Sequence, residues 1–105
     1  MRIKPLNQVP PAELRTAMLA AGPACRLDQA HLFTAPDAFE VEEENARRRR
    51  ERRAKKICAT CPAIAECLAY ALAIRPSDGV WAGKTATAVR ALSLQLVSDD
   101  KQEAA

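Results

Sequence analysis

Apolar residues along this chain return mostly at three- and four-residue steps, with no alternation of useful strand length, which predicts an all-α fold. After a loose leader, a first helix starts at Pro11 with Leu14, Ala17, Met18 and Ala21 on one face, and Gly22 and Pro23 stop it. Gln29 to Phe33 has room for one helical turn, with Leu32 and Phe33 packing inward. Asp37 is a candidate cap for the next segment, and Phe39 a candidate core residue. From about Glu42 to Ile57 the chain holds strong helix formers and neither glycine nor proline. Its apolar stripe is weak: Ala46, Ala54 and Ile57 share a face, with Arg50 and Arg53 at intervening positions. Cys61-Pro62 fits the start of another helix, running to Ile74 or Arg75 and ending before Pro76. Ile64, Cys67, Leu68, Ala71, Leu72 and Arg75 lie on one side of it. Pro76 to Gly79 is a turn by composition, and Val80-Trp81-Ala82-Gly83 comes next. Thr85 or Thr87 caps a last helix with Val89, Leu92, Leu96 and Val97 as its stripe. The expected architecture is a small irregular bundle of about four to five short helices, with 98–105 as a flexible acidic tail.

With 105 residues the chain is one domain with a core of little margin. Its aromatic residues are Phe33, Phe39, Tyr70 and Trp81, and much of its apolar content is alanine. A bound group that contributes folding energy would therefore matter. The amino terminus has no charged start leading into an apolar stretch, and no run approaches a membrane span, so a cytoplasmic protein is expected.

The net charge of +3 matters less than its distribution. Glu40, Glu42, Glu43 and Glu44 precede a segment from Arg47 to Lys56 with eight basic residues and one acidic. Acid first and base last complements the helix macrodipole. Glu43 and Glu51 neutralise part of the run at helical spacings, and most of its circumference stays positive. Arg47, Arg48, Arg49, Arg50, Arg52, Arg53, Lys55 and Lys56 are candidate contacts for nucleic-acid phosphate or an acidic protein surface.

In a reducing compartment, clustered cysteines bind metal or do redox chemistry more often than they form disulfides. Cys58 and Cys61 have two residues between them, Cys61 and Cys67 have five, and Cys25 and Cys58 have thirty-two. Four thiolates make a complete set for tetrahedral zinc or for a cubane iron–sulfur cluster, and spacing favours the cluster only slightly. The pair Cys58 and Cys61 also matches a thiol–disulfide centre, but those follow a strand in an α/β fold. His31, the single histidine, is a weak ligand candidate. No serine, carboxylate or protease-like cysteine constellation is present, so an enzyme is not expected.

Cys25, then Cys58-Ala-Thr-Cys61-Pro62-Ala-Ile-Ala-Glu-Cys67-Leu68-Ala-Tyr70-Ala71-Leu72, then Gly79-Val80-Trp81-Ala82-Gly83-Lys84-Thr85 together resemble the WhiB-like family of actinobacterial and actinophage iron–sulfur transcription regulators. The resemblance covers roughly Cys25 to Leu92. It implies that Cys25, Cys58, Cys61 and Cys67 ligate one [4Fe-4S] cluster within a domain over 25–97, preceded by a leader and short helix over 1–24. It also implies binding to the carboxy-terminal domain of the principal RNA polymerase sigma factor, with promoter DNA contacted in that complex and the cluster responsive to oxygen or nitric oxide. Trp81, Val80, Gly83, Phe33 and Asp28 are the implied partner contacts. The chain departs from the family pattern in three places. Ala82 stands where glycine is usual, and Leu32-Phe33-Thr34 where Phe-Phe-Pro is common. From Thr85 onward only Arg90 and Lys101 are basic, opposed by Asp99, Asp100 and Glu103, so a free-standing DNA-binding module is disfavoured. The arginine density lies ahead of Cys58 instead.

Overall fold

The computed structural model describes residues 9–34, 36 and 41–103. Within them five α-helices surround a small hairpin, as the all-α expectation requires. Helix α1 (Pro11–Ala20) has proline in its first turn, where the missing N–H costs nothing, and closes on Gly22 at φ +76°. It packs on α4 (Ile64–Ile74) and buries Leu14. The rest of its predicted face lies shallower, with Met18 and Ala21 half-buried and Ala17 exposed. A 3₁₀ turn (Leu27–Gln29) leads into the single-turn helix α2 (Ala30–Phe33), where Leu32 is buried and Phe33 half-buried. Asp37 and Phe39 lie outside the described residues.

The arginine-rich segment forms α3 (Glu44–Ala59). Glu43 caps it: its carboxylate accepts from the N–H groups of Asn45 at 3.1 Å and Ala46 at 3.3 Å. Within the helix Glu51 pairs with Arg47 as expected, and Glu44, paired with Arg47 and Arg48, takes the neutralising part expected of Glu43. The helix runs on to Ala59, so Cys58 sits in its last turn rather than in a turn ahead of α4. Ala54 and Cys58 pack with Leu32 and Val80 as a small core cluster, against which Phe33 and Ile57 rest.

Helix α4 starts later than Cys61-Pro62. Pro62 and Ala63 belong to a tight turn in which the Ile64 N–H meets the Cys61 carbonyl at 3.3 Å, and the first α-type bond runs from Cys67 to Ala63. Arg75 ends α4 in a left-handed conformation just before Pro76. Ala71 is buried and Cys67, Leu68 and Leu72 half-buried, while Ile64 and Arg75 are exposed, so the inner face is narrower than its periodicity predicts.

Strands β1 (Val80–Trp81) and β2 (Lys84–Thr85) pair antiparallel, Val80 with Thr85 and Trp81 with Lys84. Ala82 at φ +52° and Gly83 at φ +77° form the two-residue turn, the positive pair that a twisted hairpin prefers. Helix α5 (Ala86–Glu103) comes last, with the Thr85 hydroxyl accepting from the Ala88 N–H at 3.3 Å as the predicted cap. Its buried residues are Ala86, Val89 and Ser93, with Leu92 half-buried. Leu96 is exposed, and the Val97 side chain lies outside the described part. The inner stripe thus turns away from the predicted one after Val89, and the helix runs to Glu103, within the segment expected to be a tail. Among the described residues no helix is long and apolar enough to cross a membrane.

Candidate metal centre and basic helix face

Four different elements deliver the cysteines. Cys25 lies exposed between α1 and the 3₁₀ turn, Cys58 is buried in the last turn of α3, and Cys61 sits half-buried in the turn that leads to α4. Cys67 is half-buried in α4. All four are free thiols and line one cavity of about 460 Å³. Its remaining wall is chiefly apolar and includes Met18, Leu19, Ile57, Ile64, Phe33 and Trp81.

Backbone N–H groups face three of the sulfurs. The Ala24 N–H donates to Cys61 Sγ at 3.3 Å. At the hairpin tip, the N–H groups of Ala82 and Gly83 favour the thiolates of Cys67 and Cys58 respectively. Burial acts the other way and is the larger effect, pushing the Cys67 thiol up to about 11 and that of Cys58 upward too. Neighbouring thiolates add to both shifts. The donor set therefore suits a cationic centre, which reverses the penalty of gathering several thiolates in an apolar wall. Among the described residues no three cysteine, histidine or acidic side chains converge closely enough to hold one metal ion. A single zinc ion needs thiolates at about 2.3 Å in a closed tetrahedron.

The hairpin closes one side of the cavity because Gly79 lets it. Gly79 has φ +94°, and a Cβ there would stand 2.7 Å from the Phe33 carbonyl oxygen and 3.0 Å from Trp81 Nε1. Trp81 is half-buried, donates its indole N–H to the Asp78 carbonyl at 2.8 Å, and lies 6.2 Å from the Tyr70 ring at a tilt of 51°. Phe33 and Trp81, both predicted partner contacts, share the cavity wall. Val80 also lines it but is buried in the core cluster, so it supports the site from beneath. Gly83 faces Cys58, whose Cβ would be 3.7 Å from an added Gly83 Cβ. Asp28 is exposed, pairs with Arg26 at 3.4 Å and stands off the cavity.

The structure divides the eight predicted basic contacts. Arg50 is an internal tie and not a free surface cation: its guanidinium forks onto Glu42 at 2.8 and 3.0 Å and donates a third bond to the Leu32 carbonyl at 3.2 Å. Its side chain is only 13% exposed, and Glu42 only 16%. Hydrogen bonding to Arg50 holds the Glu42 carboxyl below its ordinary value. Arg47 and Arg48 are engaged by Glu44 and Glu51. Arg49, Arg52, Arg53 and Lys56 line a separate shallow groove of about 320 Å³, and among the described residues none of the four pairs with a carboxylate. Lys55 is exposed and lies outside that groove.

Sequence reasoning missed Ala24 and the Glu42–Arg50 tie, and it placed Gly79 in the turn without its close approach to Phe33. Nothing in local pattern marks Ala24, whose contribution is a backbone N–H. Glu42 and Arg50 are eight apart, beyond any helical pairing rule. Gly79 did carry a signal, a glycine closing a turn immediately before the tryptophan hairpin.

A family model described as transcription factor WhiB matches residues 20–92, which include all four cysteines, α3 and the hairpin. Transcriptional regulator WhiD of Streptomyces coelicolor is 47% identical over 62 residues, covering 59% of this chain and 53% of that protein. Redox-responsive transcriptional regulator WhiB3 of Mycolicibacterium smegmatis is 42% identical over 59 residues, covering 56% of this chain and 58% of the relative. Redox- and pH-responsive transcriptional regulator WhiB3 of Mycobacterium tuberculosis is 41% identical over 59 residues, covering 56% and 55%. The chain spans little more than half the length of these relatives. No solved structure matches it.

Proposed function

The chain belongs to the WhiB family of transcription factors, and from that membership we propose that it is a cytoplasmic iron–sulfur regulator acting on the sigma factor, without catalysis. Cys25, Cys58, Cys61 and Cys67 would hold one [4Fe-4S] cluster, and the observation carrying this reading is that all four thiols line a single cavity. When bound, such a cluster supplies a redox-active centre whose state is sensitive to hydrogen bonds on its sulfurs and to solvent exposure. The residues do the rest. Ala24, Ala82 and Gly83 offer N–H groups to the sulfurs, and Met18, Leu19, Phe33 and Trp81 keep water from the cavity. Cys25, the exposed thiol, is where an oxidant such as oxygen or nitric oxide would first gain access.

The partner is the carboxy-terminal domain of the principal sigma factor, docked on the apolar rim of Phe33, Trp81 and Ile64, with Asp28 and Gly83 at its edge. A half-buried tryptophan beside an apolar wall is the usual form of an interface anchor. Promoter DNA is contacted within that complex. The redox response named for the mycobacterial relatives extends to this chain as part of the same proposal. Burial raises the Cys58 thiol, which argues against Cys58 as the attacking thiol of a Cys58–Cys61 thiol–disulfide centre.

Anaerobic coexpression with the sigma domain, followed by iron and sulfide analysis, tests the proposal. A brown complex with about four iron per chain is expected, and Cys25→Ser, Cys58→Ser, Cys61→Ser and Cys67→Ser should each lower it. A colourless chain holding one zinc, or a cluster-loaded chain that ignores the sigma domain, defeats it.

A further inference from the structure

We propose that the outer stripe of α3, formed by Arg49, Arg52, Arg53 and Lys56, binds the phosphodiester backbone of duplex DNA without reading its sequence. The inference rests on the proposed regulator function for the presence of DNA and names the surface that meets it.

Helical geometry sets these four residues apart. At 3.6 residues per turn they fall within roughly a third of the circumference, on the side opposite Ala54 and Cys58. The other arginines of the helix are already used. Arg50 is folded onto Glu42 and the Leu32 carbonyl, and Arg47 and Arg48 are held by Glu44 and Glu51. Four like charges at steps of three and four residues repel one another, and an anion laid along them removes that cost.

The chemistry of the groove chooses the partner. Among the described residues its lining is Arg49, Arg52, Arg53 and Lys56, with no apolar or aromatic residue. A protein partner is normally anchored by buried apolar or aromatic groups, with charge at the rim. A phosphate backbone needs only cationic donors in register, and guanidinium forks suit it. The helix rises about 10 Å from Arg49 to Lys56, which spans about three intervals of about 3.4 Å along the duplex axis and so about four successive phosphates of one strand. The carboxy-terminal segment offers nothing comparable, since Asp99, Asp100 and Glu103 oppose Arg90 and Lys101.

The test is fluorescence anisotropy of a mixed-sequence duplex of about 20 base pairs, titrated with the full cluster-loaded chain over a salt series and without sigma factor. Neutralising four phosphates predicts that log K falls against log salt with a slope of about −3.6, little changed when the duplex sequence is scrambled. R49Q/R52Q/R53Q/K56Q should lose most of that slope, whereas R47Q/R48Q should keep most of it. Circular dichroism and iron content monitor folding. Should the fourfold variant misfold, R52Q and R53Q singly should each reduce the slope by about 0.9. An unchanged slope in the stripe variants overturns the proposal. So does displacement of the duplex by charge-matched polyglutamate at equal concentration, which would assign the stripe to an acidic protein. Co-elution of wild-type and stripe variants with the sigma domain is read separately, so loss of sigma binding and loss of DNA binding are distinguishable.

Discussion

Gly79→Ala is the sharpest test of how the hairpin is seated over the cysteines. Three glycines have positive φ, namely Gly22 at +76°, Gly83 at +77° and Gly79 at +94°, so alanine is strained at each. That strain is about 1–2 kcal/mol, partly offset by about 0.4–1 kcal/mol from the stiffer unfolded chain. What differs is the space for a Cβ. At Gly22 it meets nothing within 4 Å, and at Gly83 it touches Cys58 Cβ at an ordinary 3.7 Å. At Gly79 it stands 2.7 Å from the Phe33 carbonyl, which is backbone and cannot swing away. Either α2 or the hairpin must shift, at an overpacking cost of about 1–3 kcal/mol. Gly22→Ala should thus lose about 1 kcal/mol or less, and Gly79→Ala about 2–4 kcal/mol. At about 4–8 °C per kcal/mol the second loss is a fall of about 8 °C or more in Tm. Thermal unfolding, monitored by circular dichroism and by the single tryptophan, reads both variants. Equal losses in Gly22→Ala and Gly79→Ala would refute the contact argument. A Gly79→Ala protein with unchanged Trp81 emission would show that the hairpin does not depend on this approach.

Other consequences can be measured in the same preparations. Ala82→Gly relieves left-handed strain of about 1–2 kcal/mol, loses a buried methyl worth about 0.8 kcal/mol and frees the unfolded chain by about 0.5–1 kcal/mol. The net change in stability should therefore be within about 1 kcal/mol, and denaturant midpoints that differ by more would show that the methyl does something else. Arg50 lowers the Glu42 carboxyl, so the stability from this pair is full above the ordinary carboxylate value and is lost as pH falls through the lowered one. Glu42→Gln should flatten the acid limb of a Tm-versus-pH curve, and an unaltered limb would count against the tie. In folded cluster-free protein, iodoacetamide should label exposed Cys25 first and Cys58 and Cys67 last, with Cys67 accelerating as pH climbs toward about 11. Equal labelling of all four by peptide mapping would contradict the burial that the fold imposes.

Much of this protein was legible in its residues. Three- and four-residue spacing predicted the helices, Thr85 was named as a cap, and the cysteine run with the Gly-Val-Trp turn led to the family. These features are local, because a helical face or a turn is decided by neighbours along the chain. What spacing could not decide is which charged residues remain free. Eight cations in ten residues look equivalent in sequence, yet Arg50 bonds to a carboxylate eight residues away and to the Leu32 carbonyl of another helix. Such partners depend on how α2 and α3 pack, and only the fold leaves Arg49, Arg52, Arg53 and Lys56 together in the open groove. The same holds at the cavity. Composition supplied four sulfurs, but their surroundings come from backbone N–H groups at Ala24, Ala82 and Gly83, which no side-chain pattern encodes. Every residue except proline carries that donor, so its direction is set by the path of the chain alone.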